Sequence, residues 1–328
     1  MTAKQAASLI EKAVSPTVVL GTDPEKNYKA LAFLVHPDRA TAALGKDRAE
    51  KAFAKLSTLY ASLNGKTVSN AVILGDWIVE GAFAKGDICD LYRVTHKDGR
   101  QKAILKIARS AVDNDLLTTE AATLGALQAD KLADTFKVYV PRLLNNFVAS
   151  GRQANVVPLA DGYYSLADIK GIYSGGVDFR HCIWFMNRLL SALGFAHRNG
   201  ICHGAVLPEH LLYHPEGHGL VLVDWCYSVK PGETIKARVK NREGYYPPEV
   251  GRKSPALAST DIYMAASAIM SAAVKPLPRR FMALFDHCLA QSPKARPQDA
   301  WELQDRWQEL SREEYGKPKY LKLDLKVV

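Results

Sequence analysis

His203-Gly204-Ala205-Val206-Leu207-Pro208-Glu209-His210-Leu211-Leu212 is the stretch on which the fold turns, together with the run Leu220-Val221-Leu222-Val223-Asp224-Trp225 that follows it. Gly204 and Pro208 punctuate the first segment as a loop, with apolar residues on either side. The second reads as a buried strand that ends in a carboxylate. Upstream, Lys106 sits in the apolar strand-like run AILKIA. An ammonium in such a strand needs a carboxylate or a phosphate. Glu120, in TTEAATLGAL, shares a helix face with Thr123, Leu124 and Leu127, and it is the candidate partner.

Outward from these residues the chain changes character twice. Residues 1 to about 64 are helical in pattern, rich in Ala, Leu, Glu and Lys. Asp23-Pro24 reads as an N-cap with proline at the first helical position, and the helix it opens runs through Leu34 and stops at Pro37. A second helix is expected from about Gly45 to Leu63, closed by Asn64-Gly65. The polar stretch NGKTVSN, residues 64–70, reads as a linker. From 71 to 158 short β-runs dominate, with a hairpin signal at His96-Lys97-Asp98-Gly99 and one helix from about Asp115 to Leu127. Beyond Leu166 the pattern is mainly helical.

Composition sets the frame. Of 328 residues, 48% are hydrophobic and 23% charged, as in an ordinary globular protein. The 43 Lys and Arg against 34 Asp and Glu give a net charge of +9, but the basic residues are scattered, so a nucleic-acid partner is not expected. The stretch Lys230–Lys253 is net positive and reads as a solvated loop. Five cysteines without a CxxC pair imply reduced core thiols and a cytoplasmic setting. The apolar run Tyr263–Val274 is too short to cross a bilayer, and no membrane association is expected.

The order of the loop, strand, lysine and glutamate resembles the protein kinase family, in which a His-Arg-Asp loop precedes an Asp-Phe-Gly metal site. Later landmarks agree: Tyr246-Pro247-Pro248-Glu249 resembles the end of the activation segment, Arg296 its buried partner, and Asp261 the aspartate that anchors the catalytic loop. The resemblance implies a two-lobed fold, with an antiparallel sheet lobe at about 71–158 and a mainly helical lobe at about 159–328. It implies ATP and magnesium as cofactors, with Gly86, Lys106, Glu120 and Asp224 at the nucleotide and Asp224, with His210 as a further candidate, at the metal.

Departures from the family pattern are concentrated in the chemistry. Ala205 stands at the catalytic Asp position and His210 at the metal-binding Asn position; Trp225 and Cys226 replace Phe and Gly. Only Gly86 remains of the three loop glycines, in Ala84–Cys89, and Asp87 adds negative charge beside the expected phosphates. Ala205 cannot accept a proton, so no catalytic residue is assigned and the expectation is a pseudokinase. The alternative is an active kinase-like transferase that moves a phosphoryl or a nucleotidyl group from ATP.

His36-Pro37-Asp38, in NYKALAFLVHPDRA, resembles the signature of the J domain, the module that stimulates the ATPase of heat-shock chaperones. This resemblance implies a loop that presents His36 and Asp38 from a turn set by Pro37 to a chaperone partner, with a protein client beyond it. Lys26 and Lys29 are the basic residues of the preceding helix. The expected whole is α+β: a small all-α J-like domain at 1–66, then a kinase-like domain at 67–328.

Overall fold

A computed structural model describes residues 1–13, 19–20, 23–63 and 72–325. The expected Asn64-Gly65 cap, the polar stretch 64–70 and the expected boundary at 66–67 lie outside the described residues. The chain divides into two compact units, Met1–Ile78 and Val79–Val328.

The first unit is built from helices α1 (Ala3–Lys12), α2 (Pro24–Val35), α3 (Pro37–Leu44) and α4 (Lys46–Leu63). Asp23 caps α2 by accepting the Lys26 N–H on its side chain at 3.3 Å. Leu31 and Val35 of α2 are buried with Ala52 and Leu56 of α4, and Ile10 of α1 joins them. Leu31, Val35, Leu56 and Ile10 each contribute about 1.5–3 kcal/mol by leaving water. Tyr28 and Tyr60 stack at 4.2 Å across the same pair of helices. Arg48 reaches both oxygens of Glu11, tying α4 to α1.

One expectation is corrected here. Pro37 does not hold an open loop; it is the first residue of α3. Proline lacks the N–H that a first-turn residue leaves unpaired anyway, and its φ is preset for a helix. It therefore stops α2 and starts α3 in one step. His36 is the joint, with an extended ψ of 130°, and its carbonyl accepts from Arg39 and Ala40 at 3.0 and 2.8 Å. The His36 ring stands edge-on to Phe53 at 5.1 Å. The backbone of Asp38 lies in the first turn of α3; its side chain is outside the described set.

A two-residue strand β1 (Ile73–Leu74) pairs with the first residues of β2 (Trp77–Lys85). In the second unit β2 continues into a sheet with β3 (Cys89–His96), β4 (Lys102–Ala108), β5 (Asn145–Ala149) and β6 (Arg152–Pro158), in the order β2-β3-β4-β6-β5. The pairs β3–β4, β4–β6 and β6–β5 are antiparallel. Gly99 closes the β3–β4 hairpin with φ +73°, and Asp98 accepts the Arg100 N–H at 2.9 Å. Helix α5 (Asn114–Ala129) packs beside the sheet with Leu116, Leu117, Glu120, Leu124 and Leu127 buried.

After the four-residue helix α6 (Ala133–Phe136), the strand β7 (Tyr164–Ser165) and helix α7 (Leu166–Ile172), the chain becomes helical around α8 (Phe179–Arg198). Around it lie α9 (Pro248–Gly251), α10 (Ala258–Ala272), α11 (Arg279–Cys288) and α12 (Ala300–Tyr315). The core rests on Phe185, Leu189 and Leu193 of α8 with Ile262 and Ile269 of α10 and Trp307 of α12. A small sheet, β7-β8-β9, uses β8 (Leu211–Tyr213) and β9 (Leu220–Leu222). Among the described residues no helix is long and apolar enough to cross a membrane. All five cysteines are free and buried.

Candidate functional site

Strand β4 carries Lys106 between Leu91 of β3 and Asn155 of β6. Residues Ala103 to Ala108 are all buried, so both faces of β4 are covered and the lysine is buried too, at 3% exposure. Its ammonium bonds Glu120 Oε1 and Asp224 Oδ1, each at 2.5 Å. Burial pulls its pKa down, but the carboxylates of Asp224 and Glu120 outweigh burial and hold it well above the ordinary lysine value. Asn155, fully buried, donates to Glu120 Oε2 at 3.0 Å and to the Leu117 carbonyl at 2.8 Å. Asn155 was not singled out in the sequence; an amide inside the apolar strand ANVVPL is the signal that marks it.

Asp224 arrives by the β8–β9 hairpin. Leu211 pairs with Leu222, and the Val223 N–H then donates to the His210 carbonyl at 3.0 Å. This register places His210 and Asp224 side by side at the hairpin's open end. Asp224 adopts a left-handed backbone, φ +67°, uncommon for a residue with a Cβ. Its Oδ2 lies 3.0 Å from His210 Nε2. Burial favours the neutral acid, but Lys106 and His210 outweigh it and keep the carboxyl well below the usual range.

His210 is held from both sides. Its Nδ1 donates to the Ala205 carbonyl at 2.8 Å while Nε2 meets the Asp224 carboxylate. Both partners are acceptors, an arrangement that favours a proton on each ring nitrogen. Burial lowers its pKa, yet Asp224 raises it by more, in agreement with the geometry. His203 behaves in the opposite way. Its Nε2 donates to the Val223 carbonyl at 3.0 Å and its Nδ1 accepts from the Ala205 N–H at 3.2 Å, the pattern of a neutral ring. Burial pushes its pKa down to about 4.

The loop around Ala205 is fixed by a buried aspartate. Asp261 accepts the N–H groups of His203 and Gly204 at 2.7 and 2.9 Å and bonds His197 at 3.0 Å. Gly204 has φ +79°, and a Cβ there would lie 2.4 Å from the Tyr227 carbonyl. Ala205 itself is fully buried and offers only a methyl group. Trp225 is fully buried, with Nε1 bonded to the Leu222 carbonyl at 2.8 Å. Glu249 and Arg296 form a buried two-point pair at 2.6 and 2.9 Å.

Gly86 lies in the β2–β3 turn, where its N–H bonds the Cys89 carbonyl at 2.9 Å. A Cβ there would sit 3.0 Å from that same carbonyl, so the turn itself accounts for glycine. The stretch expected to be a solvated loop is docked instead. Lys240 donates its backbone N–H to Asp87 at 2.9 Å, Lys236 pairs with Asp115 at 3.0 Å, and Arg242 pairs with Glu209 at 2.7 Å. Residues 236–242 therefore bridge the sheet lobe and the helical lobe, contacts that charge counting in the sequence did not reveal.

A magnesium site of the expected kind needs free oxygen ligands at about 2.0–2.1 Å. Both Asp224 oxygens are paired, and each His210 ring nitrogen faces an oxygen acceptor. Among the described residues no group of three or more His, Cys, Asp or Glu could hold a metal. Asp224 is the carboxylate placed to hold magnesium together with phosphate oxygens, and Nε2 of His210 faces that carboxylate at 3.0 Å.

No protein-family profile matches the chain. In sequence it is similar to calcium/calmodulin-dependent protein kinase type IV of Mus musculus, 26% identical over 191 residues, which are 56% of this chain and 38% of that one. It is also similar to a serine/threonine-protein kinase H1 homolog of Pinctada fucata, 22% identical over 189 residues, 56% of this chain and 43% of that one. Calcium/calmodulin-dependent protein kinase type 1 of Caenorhabditis elegans matches at 24% over 188 residues, 56% of this chain and 48% of that one. The chain thus spans less than half the length of these relatives. In structure it is similar to the crystal structure of a kinase domain, with TM-score 0.59 and 13% identity, covering 72% of this chain and 96% of that one. The chain holds a protein kinase-like fold.

Proposed function

We propose that this chain is a pseudokinase with a J-like helical segment, a nucleotide-binding scaffold coupled to a chaperone. The observation that carries the reading is the methyl group of Ala205 beside an assembled cluster of Lys106, Glu120 and Asp224. A group that would accept the substrate hydroxyl proton is missing, while the lysine that would meet nucleotide phosphates is in place. Of its three ammonium protons, two point to Glu120 and Asp224, which leaves one for a phosphate oxygen. The landmarks that shape the loop rather than do chemistry, Asp261 and the Glu249–Arg296 pair, are complete.

The J-like part rests on His36-Pro37-Asp38 at the α2–α3 joint and on the packing of α2 against α4. Its partner would be a heat-shock chaperone ATPase, and its setting the cytoplasm.

The test uses purified chain, ATP labelled at either the α- or the γ-phosphate, and a heat-shock chaperone. The reading expects no label on protein, ATP binding lost on Lys106→Ala, and acceleration of chaperone ATP hydrolysis lost on His36→Gln. Steady transfer of γ-label abolished by Lys106→Ala would make it a kinase, and transfer of α-label a nucleotidyl transferase. Equal chaperone rates with and without the chain would remove the J-like role.

A further inference from the structure

We infer that the helical lobe holds a second ligand site, sharing no residue with the lysine cluster, that takes a small organic anion with a flat aromatic body. The site is a cavity of about 550 Å³ between α8, α12 and the segment 316–321 that follows α12. Ligand cavities in proteins hold about 300–1,000 Å³.

The floor of the cavity follows from helical spacing. Ile183, Trp184 and Asn187 share one face of α8, and Trp307, Gln308 and Ser311 repeat the same spacing on α12. The two faces are bonded to each other. Trp307 Nε1 donates to the Ile183 carbonyl at 3.1 Å, and the Gln308 amide donates to Asn187 Oδ1 at 2.9 Å. The roof is a strap fastened at both ends. Gly316, with φ +74°, ends α12 and turns the chain back. Further on, Leu323 is buried and donates its N–H to the Pro215 carbonyl at 3.4 Å, and the Asp324 carbonyl accepts from the Tyr173 hydroxyl at 2.8 Å. Residues 317–321, between these fastenings, line the cavity.

The lining states what the ligand is. Trp184 is half-buried and stacked with the His218 ring, centroids 5.8 Å apart and planes 15° from parallel, and Tyr320 stands edge-on to the same ring at 5.7 Å. An indole and a phenol held in place this way favour a flat apolar body. Arg180, Arg312, Lys317 and Lys319 also line the cavity, and among the described residues no Asp or Glu does. Asp178 takes Arg180 at both oxygens, 2.9 and 2.7 Å. Arg312, Lys317 and Lys319 have no carboxylate partner among the described residues. Beside Arg312 on α12, Glu309 and Glu313 are engaged by Arg306 and Arg280. Cations gathered without an acid repel one another until an anion enters. A neutral aromatic would leave them uncompensated, and an inorganic anion would leave the aromatic wall in water.

The experiment is fluorescence titration of the full chain with anilinonaphthalene sulfonate and with phenylnaphthylamine, which has the same rings and no charge. The variants are Arg312→Glu with Lys319→Glu, at two exposed positions that the fold does not depend on, and Trp184→Ala. The wild type is expected to bind one sulfonate per chain, more tightly than the amine. The double charge variant is expected to lose about tenfold or more for the sulfonate, the scale of hydrogen bonds to charged groups, and to keep its affinity for the amine. Trp184→Ala is expected to weaken both. Absence of sulfonate binding by the wild type, or equal sulfonate affinity in the wild type and the charge variant, would overturn the inference. Loss of both probes in the charge variant would overturn it too, by showing that these cations shape the roof and do not meet the ligand. Unchanged binding of both probes by Trp184→Ala would place the probe elsewhere, with the same result.

Discussion

Asn155 donates to one oxygen of Glu120 at 3.0 Å while Lys106 holds the other at 2.5 Å. A single carboxylate thereby joins strand β4, strand β6 and helix α5. Replacing Glu120 by Ala leaves Lys106 with Asp224 alone and strips Asn155 of a side-chain partner. Breaking a buried pair from one side costs about 3–5 kcal/mol. Urea denaturation of Glu120→Ala should show a loss of that size. A loss under about 1 kcal/mol, within the range of exposed pairs, would mean that the cluster holds function but not fold.

Gly204 is required by geometry and not by chemistry. Its φ of +79° is costly for any other residue, and a Cβ would meet the Tyr227 backbone carbonyl at 2.4 Å. Gly204→Ala should destabilise by at least about 2 kcal/mol and loosen the loop that Asp261 anchors. Hydrogen exchange at the His203 and Gly204 amides is the readout; unchanged protection with unchanged stability would refute the strain argument.

Acid should unfold the chain partly through His203. Its folded pKa of about 4 lies below the ordinary 6.5, so the unfolded chain takes up the proton first. The contribution is fully present above pH 6.5, falls as pH drops, and is gone once pH passes below about 4. The difference corresponds to about 3 kcal/mol. Denaturation at pH 7 and pH 5 should show the loss, and His203→Gln should flatten the slope between them. A variant with the wild-type slope would place the acid sensitivity elsewhere.

Restoring a carboxylate at position 205 should not by itself restore phosphoryl transfer. On the pseudokinase reading, His210 still faces Asp224 Oδ2 in Ala205→Asp and competes with a metal for that oxygen. The double variant Ala205→Asp with His210→Asn should transfer labelled γ-phosphate at a measurable rate where either single variant does not. Transfer by Ala205→Asp alone would show that a carboxylate at position 205 suffices and that His210 does not limit the cleft.

The sequence by itself carried the plan of the chain. Period and punctuation marked two helices of the first unit, Pro24–Val35 and Lys46–Leu63, the β-runs, the hairpin at Asp98-Gly99 and the helix of Glu120, because side-chain burial and backbone φ are local constraints. Lys106 in an apolar strand announced a buried charge, and a buried charge announces a partner. The sequence also carried the change at Ala205, since a methyl group has no acid–base chemistry in any fold.

Tertiary structure alone decided what the sequence left open. Pro37 begins a helix as well as ending one, because its surroundings let its preset φ propagate forward. Residues 236–242 dock on Asp87, Asp115 and Glu209, partners 33 to 153 positions away in the chain. The setting of His210 is encoded in no spacing: a histidine's protonation follows from what faces each ring nitrogen, and here a carbonyl five residues back and a carboxylate across a hairpin face them.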